Sequence, residues 1–404
     1  MNENICVFTE YEGRYVLLNI VDGRTEHIYA YTDLYGPGPG SVINCVADSG
    51  AEGIGSSFVM YGPKMLGFIN KKLKGGMVYP LMYKSEPGHD LSGSKKPKFT
   101  DIISIDGEYV IASSQKPYVK CSKKIPLNEK EKLAELFSEK AVQYGMGILV
   151  RTKTYLEPDG IKKAEEEIDA IKDIFGSIRE RSGHAGKYTV LYSPLPEFVK
   201  DIMYLCDKGA TEVITDDENI ISAMNREYVG ITAPVSLTDR VGLRKYRDEL
   251  VSLGCLYSLK RRISEVLSRT VHLKSGAYIS INVTEALTAI DVNSSQNSHK
   301  TGREETFYAV NAEAAAEAVR QLRLRNISGI VIIDFIDMKS EDDYAHLAEL
   351  LKEECKNDRY GCSFIDFTGL KLAELVRRRH GLPLYNALAG RPHDKTPGYM
   401  PESD

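Results

Sequence analysis

Two acidic residues close apolar runs in this chain: Asp291 follows ALTAI, and Asp334 follows GIVII. Short apolar runs bounded by polar residues suit buried β-strands. Between them, Phe307, Val310, Ala314, Ala318 and Leu322 recur at the spacing of one helix face, within a helix expected at about Glu304 to Arg325. A strand–helix–strand unit brings its two strands parallel and close together, with their C-terminal ends on one edge of the sheet. Both carboxylates would then meet at that edge. Two ionised carboxylates repel unless they share a cation. Magnesium takes oxygen ligands, keeps several waters and commonly uses one or two carboxylates with a substrate phosphate. Such an ion polarises phosphoryl oxygens and supplies a hydroxide nucleophile near neutral pH. Asn293 lies two residues beyond Asp291, on the same side of an extended segment, where its amide can orient a carboxylate or touch a phosphate. The competing reading is that both acids only cap the turns after their strands. The spacing points to a metal site and is silent about the substrate.

The elements that must position these residues can be read along the chain. NICVFTEY, RYVLLNIV and EHIYAYT are β-rich runs separated by turn signals at Glu12-Gly13 and Asp22-Gly23. After YGPGPGS come SVINCVAD, SSFVMYG and MLGFINK, short strands that suit a small barrel, with a polar loop from Glu86 to Lys98. From Asn128 the period becomes helical, in LNEKEKLAELFSEKA and IKKAEEEIDAIKDIFGSIRERSG, around a strand at GMGILVRT. KYTVLYS, PLPEFVKDIMYLCDKG and TEVITDD read as strand, helix and strand in a parallel crossover, with Ser193 capping the helix and Gly209 ending it. A hairpin is expected at Ser275-Gly276. GIVIIDFIDM has the continuous apolar character of a strand covered on both faces. DDYAHLAELLKEECK and LKLAELVRRRH are expected to be helices.

Composition sets outer bounds. At 404 residues the chain should hold about two to four compact units. Its seven scattered cysteines form no CxxC pair and suggest reduced, mostly buried thiols rather than a disulfide framework or zinc site. The net charge of -5 excludes a uniformly basic coat but leaves room for a local nucleic-acid-binding surface. No apolar run is long enough to span a bilayer, and the N-terminal residues lack a secretion-signal pattern, so cytoplasmic residence is expected.

Three motifs in order carry a specific resemblance. TEALTAIDVNSS (284–295), EETFYAVNAEAAAEAVRQLRLRN (304–326) and GIVIIDFIDM (329–338) resemble the catalytic core of the ribonuclease E/G family. The resemblance implies that Asp291 and Asp334 bind a catalytic magnesium (manganese being a permitted substitute) and that Asn293 supports the pair. Glu285 and Asp337 are weaker candidates for acids behind that pair. GMGILVRT resembles the family's RNA 5′-monophosphate sensor, with Arg151 and Thr152 at the phosphate-contacting positions; an arginine fork and a hydroxyl both donate to phosphate oxygens. Without the resemblance, Arg151 reads as an arginine that merely follows a buried strand. The stretch 41–69 is similar to the family's OB-type barrel. Phe58 and Phe68 fall at its base-stacking positions, although the same rings could fill a barrel core. Lys71, Lys72 and Lys74 stand beside them. FTGLKLAELVRRRHG resembles the helix closing the catalytic region, with Arg377, Arg378 and Arg379 either facing RNA or complementing the helix dipole.

The resemblance implies an α/β and α+β multidomain fold. A split ribonuclease-H-like domain (1–36 plus 187–256) would carry an inserted OB-type RNA-binding barrel (37–124) and a 5′-sensor region (125–186). A DNase-I-like catalytic domain (257–390) and a tail (391–404) would follow. The implied activity is magnesium-dependent endonucleolytic cleavage of single-stranded RNA in ribosomal-RNA processing or RNA decay. It would favour 5′-monophosphorylated substrates and leave 5′-phosphate and 3′-hydroxyl ends. The alternative is an RNA-binding protein of the same fold with weak or no cleavage. Three departures bear on this expectation, one of them the extra barrel loop from Glu86 to Lys98. The family's CPxCxG zinc-linking motif is missing, with no cysteine after Cys362, so no zinc is expected, and a monomer or zinc-independent dimer replaces the usual tetramer. The basic residue that commonly follows the catalytic asparagine is also replaced, by Ser294-Ser295-Gln296, leaving His299 or Lys300 to compensate.

Overall fold

The computed structural model describes residues 3–48, 55–85, 96–284, 286–294 and 304–389. β1 (Asn4–Tyr11), β2 (Arg14–Val21) and β3 (Arg24–Tyr31) form an antiparallel meander. Its turns place Glu12, Gly13, Asp22 and Gly23 at positive φ, the geometry that tight two-residue hairpins require. β4 (Val42–Ala47), β5 (Ser57–Gly62), β6 (Met65–Ile69), β7 (Val78–Ser85) and β8 (Lys98–Thr100) follow. They close on themselves in the order β4-β5-β6-β8-β7, with β7 returning to pair β4. This closed five-stranded barrel is consistent with an OB-type domain.

Next come β9 (Ser104–Asp106), β10 (Val110–Ser113), β11 (Tyr118–Cys121), α1 (Leu127–Tyr144), β12 (Gly147–Val150), α2 (Thr152–Leu156) and α3 (Gly160–His184). The four strands make one sheet whose core includes Phe137 of α1 and Ile168 and Ile171 of α3. β13 (Val190–Tyr192), α4 (Glu197–Asp207), β14 (Glu212–Thr215), α5 (Glu218–Met224), β15 (Glu227–Val229), β16 (Pro234–Ser236) and β17 (Gly242–Lys245) lead to α6 (Leu253–Leu256) and α7 (Leu259–Leu267). β14 and β17 add in parallel to β1, giving a sheet ordered β17-β14-β1-β2-β3. One face of that sheet, with Cys6, Phe8 and Leu17, packs on Phe198, Ile202 and Leu205 of α4. The other, with Val7, Val16 and Leu18, packs on Leu259, Ile263 and Val266 of α7.

The last unit holds β18 (Thr270–His272), β19 (Tyr278–Val283), β20 (Leu287–Asn293), α8 (Glu304–Leu324), β21 (Gly329–Asp334), α9 (Glu341–Lys356), β22 (Cys362–Phe367), β23 (Ala373–Arg377) and α10 (Leu384–Ala389). Its sheet is ordered β18-β19-β20-β21-β23-β22. Val310, Ala314, Ala318 and Leu322 of α8, with Leu347 and Leu351 of α9, cover one face. Hydrogen bonds from Tyr31 and Arg359 converge on Asp201 of α4, both at 2.6 Å, and tie this unit to the first sheet.

Four expectations are corrected. β13 and β14 do not form a parallel crossover, because β13 pairs antiparallel with barrel strand β4 while β14 joins β1. α4 therefore connects two sheets rather than two strands of one. Ser193 does not cap α4: the helix begins after Pro196 with no side-chain cap, although Gly209 at φ +92° does end it. The segment LKLAELVRRRH is not a helix. β23 pairs antiparallel with β21 and β22, and the Arg377 guanidinium points inward to Asp358 at 2.8 Å, so tertiary pairing overrides local helical preference. Arg377 is thus an interior residue rather than part of an RNA-facing basic end, whereas Arg378 and Arg379 are exposed. Finally, β21 is covered on one face only, since α8 and α9 both lie on the side of Val331 and Ile333. Among the described residues Ile330, Ile365 and Val376 remain 51%, 55% and 42% exposed. Most of the expected polar loop, residues 86–95, lies outside the described residues, and Lys98–Thr100, at its end, forms barrel strand β8.

Candidate active site on the open face of the last sheet

Asp291 and Asp334 stand directly opposite each other on parallel neighbours β20 and β21. The alternation of each strand explains why. Ile290, Val292, Val331 and Ile333 turn into the core, so the two aspartates must turn to the uncovered face. Asn293, on the same side of β20, donates its amide to Asp291 Oδ2 at 2.7 Å. Burial, then the Asp291 and Asp337 carboxylates, raise the Asp334 carboxyl above its usual range. A cation placed between the aspartates would relieve that repulsion, and the donor set of two carboxylate oxygens with open solvent beside them fits a hydrated magnesium ion. Among the described residues no cluster of three histidine, cysteine, aspartate or glutamate side chains is placed to hold a metal. Asp291 and Asp334 are the two carboxylates that the described residues bring face to face there. Asp337 is exposed and acts on Asp334 through charge. Glu285, Ser295, Gln296, His299 and Lys300 lie outside the described residues.

Two residues that sequence reasoning did not single out support this geometry. Asn311, fully buried in α8, donates its amide to the Ile336 carbonyl at 2.8 Å and accepts from the Ile336 N–H at 3.0 Å. It thereby fixes the backbone two residues beyond Asp334. The readable signal was an amide on the apolar face of a helix. Arg269 is exposed just before β18, and its Nε donates to Ser280 Oγ at 3.4 Å; Ser280 is the cross-strand partner of Asp291. A guanidinium thus stands on the same side of the sheet as the carboxylates, supplied from just before β18 rather than from the segment after Asn293.

The other expected site residues occupy different sheets. Arg151 follows β12, is exposed and donates to the Gly107 carbonyl at 2.7 Å, while Thr152 Oγ1 donates to Ser122 Oγ at 2.9 Å. A Cβ at Gly107 would fall 2.1 Å from the Glu167 carboxyl and would have to displace it. That buried carboxylate accepts three backbone N–H groups, from Glu108, Tyr109 and Val110, at 2.6 to 2.8 Å. The turn that meets Arg151 is thereby held rigid. Phe58 and Phe68 oppose each other on β5 and β6 with ring centroids 5.9 Å apart. They are half-buried and lie outside the barrel core, which Val59, Ile69, Leu81 and Phe99 fill instead. Lys71 is ion-paired with Asp101, and Lys72 and Lys74 are exposed. No helix among the described residues is long and apolar enough to cross a membrane.

Comparison with known proteins adds a family. The sequence profile of the Ribonuclease E/G family matches residues 104–380, which include Arg151, Thr152, Asp291, Asn293 and Asp334 but not Phe58 or Phe68. The chain is 30% identical over 302 residues to Ribonuclease E of Synechocystis sp., covering 74% of this chain and 44% of that protein. It is 29% identical over 293 residues to Ribonuclease G of Escherichia coli K12, covering 72% of this chain and 58% of the relative. The chain therefore spans about half the length of the curated relatives it matches.

Proposed function

The chain belongs to the ribonuclease E/G family, and from that premise we propose that it is a magnesium-dependent endoribonuclease acting on single-stranded RNA, with Asp291 and Asp334 as the metal-binding pair. The observation that carries this reading is the facing register of the two aspartates on an uncovered sheet face. Magnesium, when bound, stabilises charge developing on the phosphoryl oxygens and helps to generate the attacking nucleophile. The protein's own contributions are positional. Asn293 holds the Asp291 carboxylate in one orientation, Asn311 holds the segment beyond Asp334, and Arg269 offers a forked donor to a phosphate oxygen. Cleavage in this reading leaves a 5′-phosphate and a 3′-hydroxyl.

In the same reading, Arg151 and Thr152 receive the 5′-monophosphate of the substrate, and no carboxylate of the described residues pairs with Arg151 to compete for it. Phe58 and Phe68 stack on bases from the outer face of the barrel, with each stacked base contributing roughly 1–3 kcal/mol. The units follow the family plan. A split ribonuclease-H-like domain holds the barrel and the sensor region, a DNase-I-like domain holds the aspartates, and the protein works in the cytoplasm.

The test is incubation of end-labelled single-stranded RNA with the protein in magnesium and in chelator. Cleavage only with magnesium, lost in Asp291→Asn and Asp334→Asn, supports the assignment. RNA binding without cleavage would establish the alternative of a non-cleaving RNA-binding protein. Equal rates on 5′-monophosphate, 5′-triphosphate and 5′-hydroxyl substrates would remove the sensor role of Arg151 and Thr152.

A further inference from the structure

The loop from α9 to β22 reverses the chain over five residues, 357–361, and it brings two cysteines together. Cys355 lies in the last turn of α9 and Cys362 opens β22. Their Sγ atoms are 3.3 Å apart, with the Cys355 S–H donating to Cys362. The reversal has a clear cause. The Asp358 carboxylate accepts the N–H groups of Tyr360 and Gly361, both at 2.9 Å, and Gly361 takes φ +94°, which favours glycine. Among the described residues no other pair of cysteine sulfurs lies within hydrogen-bonding distance. A disulfide requires the gap to close from 3.3 Å to roughly 2.05 Å.

We propose that Cys355 and Cys362 form a reversible dithiol–disulfide pair, oxidised by a small disulfide of the oxidised-glutathione class. The two sulfurs are not equivalent. The donated Cys355 S–H lowers the Cys362 pKa, and Arg377, its cross-strand partner, adds to this; burial and Asp358 oppose it. The Cys355 thiol is raised, first by its bond to Cys362 and then by burial. Cys362, on the edge strand with Arg377 as its cross-strand partner, is the attacking thiolate in this proposal. It bonds to one sulfur of the small disulfide and expels the other as a thiolate. Cys355 then gives up its proton and attacks the Cys362 sulfur, expelling the second thiolate. In sum, the protein dithiol loses two electrons and two protons, and the small disulfide becomes two thiols. Both cysteines are buried, but β22 is the edge strand of its sheet, so opening one strand is enough to admit the reagent.

The bond would be felt beyond the loop. The residues between the cysteines include Asp358, which holds Arg377, and Arg359, which reaches Asp201 of α4. They also include Tyr360, whose ring stacks on His380 with centroids 3.8 Å apart. Oxidation thus staples the segment that joins the first sheet to the last unit.

The test uses the full chain equilibrated with mixtures of reduced and oxidised glutathione, quenched in acid, alkylated and mapped by mass spectrometry. The expected result is a loss of about 2 Da in a peptide pair joining Cys355 to Cys362, reversed by reductant. Exposed Cys255 is the internal control and should carry only adduct or alkyl label. Cys355→Ala should trap a glutathione adduct on Cys362, whereas Cys362→Ala should leave Cys355 unmodified. The absence of the link, or a link that forms first between other cysteines, would overturn the proposal. The wild-type map decides this even if either variant fails to fold.

Discussion

The first sheet and the last sheet are made from similarly apolar strands, yet they differ in what covers them. In β1 and β2, alternate residues pack on helices from opposite sides: Phe8 against α4, and Val7 and Leu18 against α7. In β20 and β21 only every second residue is covered, and the intervening ones, including Ile330, Asp291 and Asp334, face outward. Coverage on both faces gives a scaffold with no room for a charged group, since a bare buried charge is strongly unfavourable. Coverage on one face provides a rigid backing and a wet surface, where two like charges can sit side by side in contact with solvent. A sheet that is to hold a polyanion against a metal must leave one face open. The first sheet, enclosed on both sides, is suited to hold the rest in place.

The contrast can be broken or sharpened by substitution. Phe8→Ala should destabilise the chain by about 3–5 kcal/mol in urea unfolding, because it empties an enclosed core position. Ile330→Ala, on the open face, should cost under about 1 kcal/mol; comparable losses at the two positions would mean that something covers the last sheet. Asp291→Asn and Asp334→Asn should each slow RNA cleavage at least ~100-fold, about 2.7 kcal/mol in transition-state stabilisation, while circular dichroism stays unchanged. Asn311→Ala leaves the Ile336 N–H and carbonyl without their partner and should cost roughly 1–3 kcal/mol. It should also slow cleavage without altering RNA affinity; a loss of stability with normal cleavage would show that Asn311 does not position Asp334.

The smallest effect concerns pH. The Asp334 pKa is raised in the folded chain, so between the unfolded value near 3.9 and the raised folded value the folded state binds the extra proton. Without metal, the contribution of this carboxyl to stability should therefore fall as pH rises through that window. Asp334→Asn should remove that contribution and match or slightly exceed the parent at neutral pH in thermal melts. Magnesium should stabilise the parent and leave this variant unmoved. A variant less stable than the parent in chelator would show that the carboxylate makes a favourable structural contact instead.

Local pattern was enough to locate the strands of the meander, the barrel run, the long helices, and the strand–helix–strand unit with an acid at each strand end. These depend on period, turn residues and caps, which act over a few neighbours and are written into adjacent positions. That Asp291 and Asp334 share a face follows from the same alternation once the strands are neighbours, but their facing register is set by the tertiary pairing. The aim of Arg377 was not readable, because a stretch such as AELVR is compatible with helix or strand until β21 offers it an edge and Asp358 an interior partner. Nor were the destination of β13, the role of Asn311 or the approach of Arg269 to the carboxylate side of the sheet. Each of these depends on which distant backbone lies alongside, and no window of sequence contains that partner. The chain by itself determined that two acidic residues close apolar strands on either side of one helix. Only the tertiary structure decided which sheet face stays uncovered, because that follows from both helices of the last unit packing on the same side.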